Sequence, residues 1–141
     1  MIKMPSIYRI ATLATCSFLL FTFWLIYTAN TGGNSVFFNM SYSIAYGDKI
    51  GHFIIFSSLT LLLNVALKFK TIEFKQRTIL LGTISIIGFA LIEEMSQALI
   101  PSREFDFKDL GSDAIGIYLA HYLSNKLKYM LDKNKLILKR R

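Results

Sequence analysis

The stretch TILLGTISIIGFALIEEMSQALI, residues 78–100, decides how this chain folds. It is long enough to cross a membrane as a single helix, which takes about 20 apolar residues. It also contains two adjacent carboxylates, Glu93 and Glu94. A charge at bilayer depth costs about 2.5–3.5 kcal/mol on insertion scales, so residues of this kind are rare in membrane helices and usually face a polar interior.

The composition of the whole chain indicates a membrane protein with one domain. Hydrophobic residues make up 53% of the 141 residues, and the mean hydropathy is +0.45. This apolar excess is larger than an ordinary soluble domain of the same size shows. Only 2 Pro and 8 Gly are present, which leaves little linker sequence. We therefore expect one domain over residues 1–141, and the single cysteine, Cys16, excludes an intrachain disulfide.

Three further apolar segments complete a prediction of four membrane helices. The predicted helices cover about residues 7–29, 48–67, 78–100 and 109–127, followed by a basic tail at 128–141. The first segment could instead be a signal peptide, but its apolar part is too long and no A-x-A cleavage site follows it. The fourth is the least apolar and could lie at the membrane interface. The fold class we predict is all-α: a polytopic membrane protein with a four-helix bundle.

The distribution of charge predicts how this bundle is oriented. A net charge of +7 would suggest a nucleic-acid partner in a soluble protein, but no basic and aromatic pattern of an RNA-binding module is present, so none is expected. The basic residues lie before the first segment, in the 68–77 loop and after the fourth segment, whereas the 30–47 loop is uncharged. By the positive-inside rule, both termini and the 68–77 loop are cytoplasmic. The 30–47 and 101–108 loops then face outward.

This topology collects the intramembrane charge on the outer-leaflet side. The predicted ligand-binding residues are Asp48, His52, Glu94, Gln97, Arg103, Asp109 and Asp113. Asp48 and His52 are four residues apart and share a helix face, so Asp48 is predicted to orient the imidazole. His52 is then the candidate general base, with Asp48 and Glu94 as further catalytic candidates. Arg103 is suited to bind a phosphate or a carboxylate.

Simpler structural roles remain open for several of these residues. Asp48 or Asp109 could stabilise a helix N-terminus, and a Glu94–Arg103 pair could join two elements. Successive helix residues turn by about 100°, so Glu93 is predicted to point away from Glu94, with no partner assigned. No ligand spacing of a zinc site and no cofactor motif is present, so neither a metal nor a cofactor is predicted.

The order and spacing of the polar residues resemble the VanZ-like family of small bacterial integral membrane proteins. Residues 48–53, DKIGHF, match the family pattern D-K-x-x-H-F, and residues 94–97, EMSQ, match E-x-x-Q. Residues 101–103, PSR, match P-G-R with serine in place of glycine. Residues 109–116 follow D-L-x-x-N-x-x-G, with Asp113 where many members have asparagine.

The resemblance covers about residues 45–120 and implies a multi-pass protein of the bacterial cytoplasmic (inner) membrane. The founder of the family is linked to teicoplanin (glycopeptide) resistance, so a role near the cell envelope is implied. We expect the site to bind or process an amphiphile, either a membrane lipid or a lipid-linked envelope precursor. The sequence does not distinguish binding from catalysis.

Two alternatives are kept. The first is a structural or interaction protein whose charges only specify helix packing, as a homo-oligomer or within an envelope complex. The second is an ion or proton pathway. It is weaker because the inner halves of the helices show no polar relay, only an isolated Asn64 and a distant His121.

Overall fold

A computed structural model describes residues 4–33, 35–101, 103 and 105–139. Within these ranges the chain forms five helices and one β-hairpin. In order they are α1 Met4–Asn30, α2 Val36–Ser43, α3 Gly47–Ala66, β1 Thr71–Phe74, β2 Arg77–Leu80, α4 Leu81–Gln97 and α5 Phe107–Lys139. The predicted helical class is confirmed, and the short helix α2 and the hairpin are additions to it.

The helix boundaries differ from the predicted ones in three places. Residues 78–80 belong to β2 rather than to the third predicted helix, and that helix ends at Gln97. The last helix continues past residue 127 to Lys139, so the predicted basic tail is largely a helical extension. Its last two residues, 140–141, lie outside the described part of the chain. The loop predicted at 30–47 contains α2.

Two of the described helices are long and apolar enough to cross a membrane, by length and composition. They are Ser6–Asn30 in α1 and Gly47–Ala66 in α3, and only 17% and 22% of their apolar windows are buried. Large apolar side chains such as Leu13 and Leu20 are exposed on α1. A core helix of a soluble protein would bury such residues, so this exposure is consistent with a lipid environment.

Helix α3 lies at the centre of the bundle and packs against α1, α2, α4 and α5. His52, near the start of α3, lies 3.1 Å from Asp113 near the start of α5, so these two helices run parallel. Asn64, near the end of α3, contacts the first turn of α4, which is therefore antiparallel to α3. Helix α1 is also antiparallel to α3, because Lys68 Nζ lies 5.8 Å from the ring centroid of Tyr8.

The apolar core lies at mid-height between α3, α4 and α5. Its buried members are Phe56, Leu59, Ile86, Ala90 and Ile117. Helices α3 and α5 approach closely beside this core. A Cβ atom added to Gly116 would lie only 2.8 Å from the carbonyl oxygen of Phe53. The glycine therefore permits a helix contact that any larger residue would force apart.

The β-hairpin lies where α3 ends and α4 begins. Strands β1 and β2 are antiparallel, with Thr71 opposite Leu80. Lys68 and Phe69 both adopt the left-handed conformation, with φ of 56° and 55°, which turns the chain sharply after α3. The N–H of Phe69 donates to the carbonyl of Asn64 at 2.8 Å. Because Phe69 and Leu80 are both buried, the hairpin packs firmly on the bundle.

Candidate functional site

Polar side chains from three elements meet at the end of the bundle where α3 and α5 begin and α4 ends. This polar cluster consists of Asp48, Lys49, His52, Glu93, Glu94, Gln97, Arg103, Asp106, Asp109 and Asp113. The folded chain therefore brings together all the residues that the sequence analysis selected. It adds Lys49, Glu93 and Asp106 to them.

Lys49 links the start of α3 to the start of α5. Its Nζ lies 2.6 Å from Asp48 Oδ2, 2.7 Å from Asp106 Oδ2 and 2.9 Å from Asp109 Oδ1. An ammonium group has three donors, so a single lysine can serve three carboxylates. The hydrogen bond from the Lys49 ammonium is the main reason why the pKa of Asp106 lies below its ordinary value.

Asp106 also starts α5 and joins it to α4. Its Oδ1 accepts the backbone N–H of Lys108 at 2.8 Å, which is the contact of a helix N-cap. Its own N–H donates to Glu94 Oε1 at 2.9 Å. The helix cap that was considered for Asp109 thus belongs to Asp106, and Asp109 instead faces Lys49.

His52 has a different partner from the predicted one. Its Nδ1 lies 3.1 Å from Asp113 Oδ1, whereas Asp48 pairs with Lys49. The prediction that Asp48 orients the imidazole is therefore wrong, and Asp113 on α5 takes that place. If Asp113 is ionised, its carboxylate only accepts hydrogen bonds, and Nδ1 then carries the proton in this contact. In the neutral ring, Nε2 is then left with the free lone pair.

Both glutamates of the doublet face the cluster. Glu93 is 7% exposed and Glu94 is fully buried. The Gln97 side-chain nitrogen lies 3.1 and 3.0 Å from the two carboxylate oxygens of Glu93 and 3.2 Å from Glu94 Oε2. The prediction that Glu93 points away is wrong, because residues three and four positions before Gln97 both lie beside it on the helix. The arginine also has a different partner from the Glu94 considered above, since Arg103 Nη2 lies 3.8 Å from Glu93 Oε1.

The buried part of the cluster holds more negative than positive charge. Its buried carboxylates are Glu93, Glu94, Asp109 and Asp113. The cations in contact with these four carboxylates are Lys49 and Arg103. If all four carboxylates are ionised and His52 is neutral, two fixed cations leave an excess of two negative charges, counted over the described residues.

The additional residues differ in how far the sequence signals them. Lys49 lies inside the D-K-x-x-H-F match, and Glu93 lies inside an apolar run, so both carry a visible signal. Asp106 lies in a short loop of mixed charge. Its role depends on a backbone contact to Glu94 across 12 residues, which no local pattern indicates.

An open cleft of about 600 Å³ lies between α4 and α5 and reaches the polar cluster at Asp113. Its lining residues are Arg77, Thr78, Ile79, Thr83, Ile87, Ala90, Leu91, Leu110, Asp113, Ala114, Ile117, Tyr118 and His121. The lining residues on α5 extend from Leu110 to His121, so the cleft runs about 16 Å along this helix. Most of the lining between these ends is apolar, which suits an acyl or isoprenoid chain.

A second polar network lies at the opposite end of the bundle. Asn64 Nδ2 donates to Thr83 Oγ1 at 3.0 Å and to Ser124 Oγ at 3.1 Å. His121 Nδ1 lies 2.9 Å from Thr83 Oγ1, and its Nε2 lies 2.9 Å from Asn125 Nδ2. The prediction that Asn64 is isolated is therefore wrong.

The apolar core separates this network from the polar cluster. His52 and Asn64 are twelve residues apart on α3, or about 18 Å. Phe56 and Leu59 lie between them and are buried. The hydroxyl of Thr60 donates to the carbonyl of Phe56. Among the residues that the structure describes, no chain of direct polar contacts joins the two regions.

These features define a class of protein: a helical bundle with two candidate membrane spans and a buried polar cluster at one end. The profile of the VanZ/LLP1 family matches residues 2–128. The chain therefore belongs to this family, which confirms the resemblance found in its motifs. No curated protein and no solved structure matches the chain significantly.

Proposed function

We propose that the polar cluster binds the polar head of an amphiphilic cell-envelope component, and that the adjoining cleft holds its apolar chain. The observation that carries this proposal is the direct continuity between the two at Asp113, which belongs to the cluster and also lines the cleft. A charged head and an apolar tail on one molecule would need such a pair of adjacent environments. A membrane lipid or a lipid-linked envelope precursor has this chemistry.

Arg103 is the proposed contact for the phosphate or carboxylate of the head group. Its side chain is 22% exposed, and its 3.8 Å separation from Glu93 is too long for a hydrogen bond. Guanidinium donors therefore remain for a ligand, and their fork geometry suits bidentate pairing with an anion. If the bound molecule is also processed, His52 Nε2, with the ring held by Asp113, would be the general base.

The proposed setting is a bacterial cytoplasmic membrane that α1, α3, α4 and α5 all cross. Tyr8 on α1 and Lys68 after α3 lie together at the end of the bundle opposite the polar cluster. The basic 68–77 segment lies at that end, and the positive-inside rule assigns it, with both termini, to the cytoplasm. The polar cluster then lies at the outer leaflet. Helix α4 has 17 residues, which is at the lower end of the range for a membrane helix.

Lipid analysis of purified protein tests this proposal. Wild type, Arg103→Ala and His52→Ala would be purified in a mild detergent at matched expression. Arg9→Ala is the control, because Arg9 lies near the start of α1, at the end of the bundle opposite the polar cluster. We expect mass spectrometry to find an anionic amphiphile enriched on wild type and Arg9→Ala and depleted on the other two. Identical lipid profiles for all four proteins would contradict the proposal.

A second candidate function is structural, supported by the ion contacts that join α3 to α5 through Lys49. In that case the charges only specify packing, and Glu94→Gln should lower abundance and activity in parallel. A Glu94→Gln protein that is abundant and folded but inactive would favour the binding site. Teicoplanin susceptibility of strains that express wild type and Glu94→Gln would also test whether this chain shares the link of the family's founder to glycopeptide resistance.

A further inference from the structure

We infer that His52, Glu93 and Glu94 form a binding site for one divalent metal ion of the kind that accepts imidazole and carboxylate ligands together, Zn²⁺ or Mn²⁺. One ligand atom from each of the three side chains lies within 4.8 Å of the other two. Such ions hold nitrogen and oxygen ligands at about 2.0–2.2 Å, which places ligand atoms about 3.4 Å apart in a tetrahedral site. Side-chain rotations of the two glutamates that shorten these separations by up to about 1.4 Å would give this geometry.

Asp113 supplies an independent indication of the ligand. It holds His52 through Nδ1 and so leaves Nε2 for the metal, and metal binding would replace the general-base role considered for this nitrogen above. Carboxylates that bind the second ring nitrogen of a metal-ligating histidine fix its tautomer and raise its basicity. Asp113 is fully buried, and its other oxygen, Oδ2, has no hydrogen-bond partner among the described residues. A buried polar atom of this kind requires a hydrogen-bond partner, which an ordered water can supply. The indication for a metal is the Asp113–His52 contact itself.

The charge of the site also favours a cation. Glu93 and Glu94 are adjacent, buried and share the single amide nitrogen of Gln97, which carries two hydrogens for three carboxylate oxygens. Lys49 contacts three other carboxylates, and Arg103 is 3.8 Å from Glu93. A divalent ion would neutralise the excess of two negative charges in the buried part of the cluster. Without it, the two carboxylates repel each other in a medium of low dielectric constant.

The ligand types decide the class of metal. Mg²⁺ and Ca²⁺ prefer shells of oxygen ligands, whereas an imidazole nitrogen favours transition metals and zinc. The ligands come from α3 and α4 and are 41 residues apart in sequence, so the site carries no local zinc spacing. Three protein ligands leave an open coordination position. A phosphate or carboxylate of the amphiphile could take this position; that use rests on the proposed function, whereas metal binding does not.

Titration calorimetry on chelator-treated protein with its affinity tag removed tests the site, with Zn²⁺ and Mn²⁺ as separate probes. We expect one ion per chain, with affinity at least about 10-fold weaker in Glu93→Gln and Glu94→Gln and about 10- to 100-fold weaker in Asp113→Asn. The matched control is Glu73→Gln, the same substitution at an exposed position of β1, which should bind like wild type. Equal binding by Glu93→Gln and Glu73→Gln would overturn the inference.

A measurement on wild type keeps the test decisive if a glutamate variant does not fold. Diethyl pyrocarbonate modifies free imidazole nitrogens, and peptide mass spectrometry separates His52 from His121, which lies in the distant network. Bound metal should protect His52 and leave His121 unchanged. Equal modification of His52 with and without the metal would overturn the site.

The two proposals fail in different ways. Metal binding at these residues in a protein whose lipid profile does not depend on Arg103 would uphold the metal site and contradict the proposed function. An Arg103-dependent lipid on a protein that binds neither Zn²⁺ nor Mn²⁺ at millimolar concentration would do the reverse.

Discussion

Replacing Lys49 with methionine removes the positive charge that three carboxylates share and keeps most of the apolar stem. The side chain of Asp48 is 50% exposed, and an ion pair at such a position is worth about 0–1 kcal/mol. The side chain of Asp109 is only 11% exposed, close to the buried limit, where loss of one partner costs about 3–5 kcal/mol. The side chain of Asp106 is 35% exposed, which lies between these two cases. Because residual solvent screens all three contacts and they share one ammonium, we expect a total loss of about 3 kcal/mol rather than a sum.

The free energy of unfolding tests this estimate. It is measured at neutral pH in mixed micelles with increasing dodecyl sulfate, and unfolding is followed by the loss of the helical circular dichroism signal. Lys126→Met is the control, since Lys126 is exposed on α5. It should change the free energy of unfolding by less than about 0.5 kcal/mol.

The double variant Lys49→Met with Asp109→Asn gives the sharper test of the same reasoning. It should recover about 1–2 kcal/mol relative to Lys49→Met, because it removes the buried carboxylate that the single substitution leaves without a cation. A single variant that loses less than about 1 kcal/mol, or a double variant no more stable than the single one, would refute the argument.

Other substitutions test the helix contact, the second network and the α5 cap. Gly116→Ala should lower the free energy of unfolding by about 1–3 kcal/mol, because its Cβ would lie 2.8 Å from the Phe53 carbonyl oxygen. Gly111→Ala, with no atom within 4 Å of the added carbon, should be neutral or stabilising, and an equal loss in both would contradict the close contact. Asn64→Leu should cost about 1–3 kcal/mol in the same assay, since it removes the amide that donates to two buried hydroxyl groups; no loss would argue against the network. The pKa of Asp106 is lowered by folding, so its stabilisation is present above the ordinary value of 3.8 and is lost as the pH falls below it. The difference in melting temperature between wild type and Asp106→Asn should shrink below that pH, and a growing difference would show that the sign is wrong.

The helical class and the family could be predicted from the sequence because both depend on local information. Apolar composition over about 20 residues is enough to predict a membrane-length helix. The motifs at 48–53 and 94–97 keep their order along the chain whatever the fold. The hairpin was missed because residues 78–80 continue an apolar run without interruption. Only the left-handed turn at Lys68 and Phe69 and the pairing with β1 make them a strand.

By itself the sequence determined which residues are polar inside apolar segments, and charge patterning predicted that they gather at one end of the bundle. The tertiary structure alone decided which residues pair between different helices, because packing can bring a distant side chain closer than one four residues away. His52 contacts Asp113, 61 residues later, because α3 and α5 run parallel and approach closely at Gly116. Glu93 and Glu94 differ by about 100° in helical phase. Both nevertheless contact Gln97, because residues three and four positions earlier lie beside it on the same helix, so this contact was already contained in the sequence spacing.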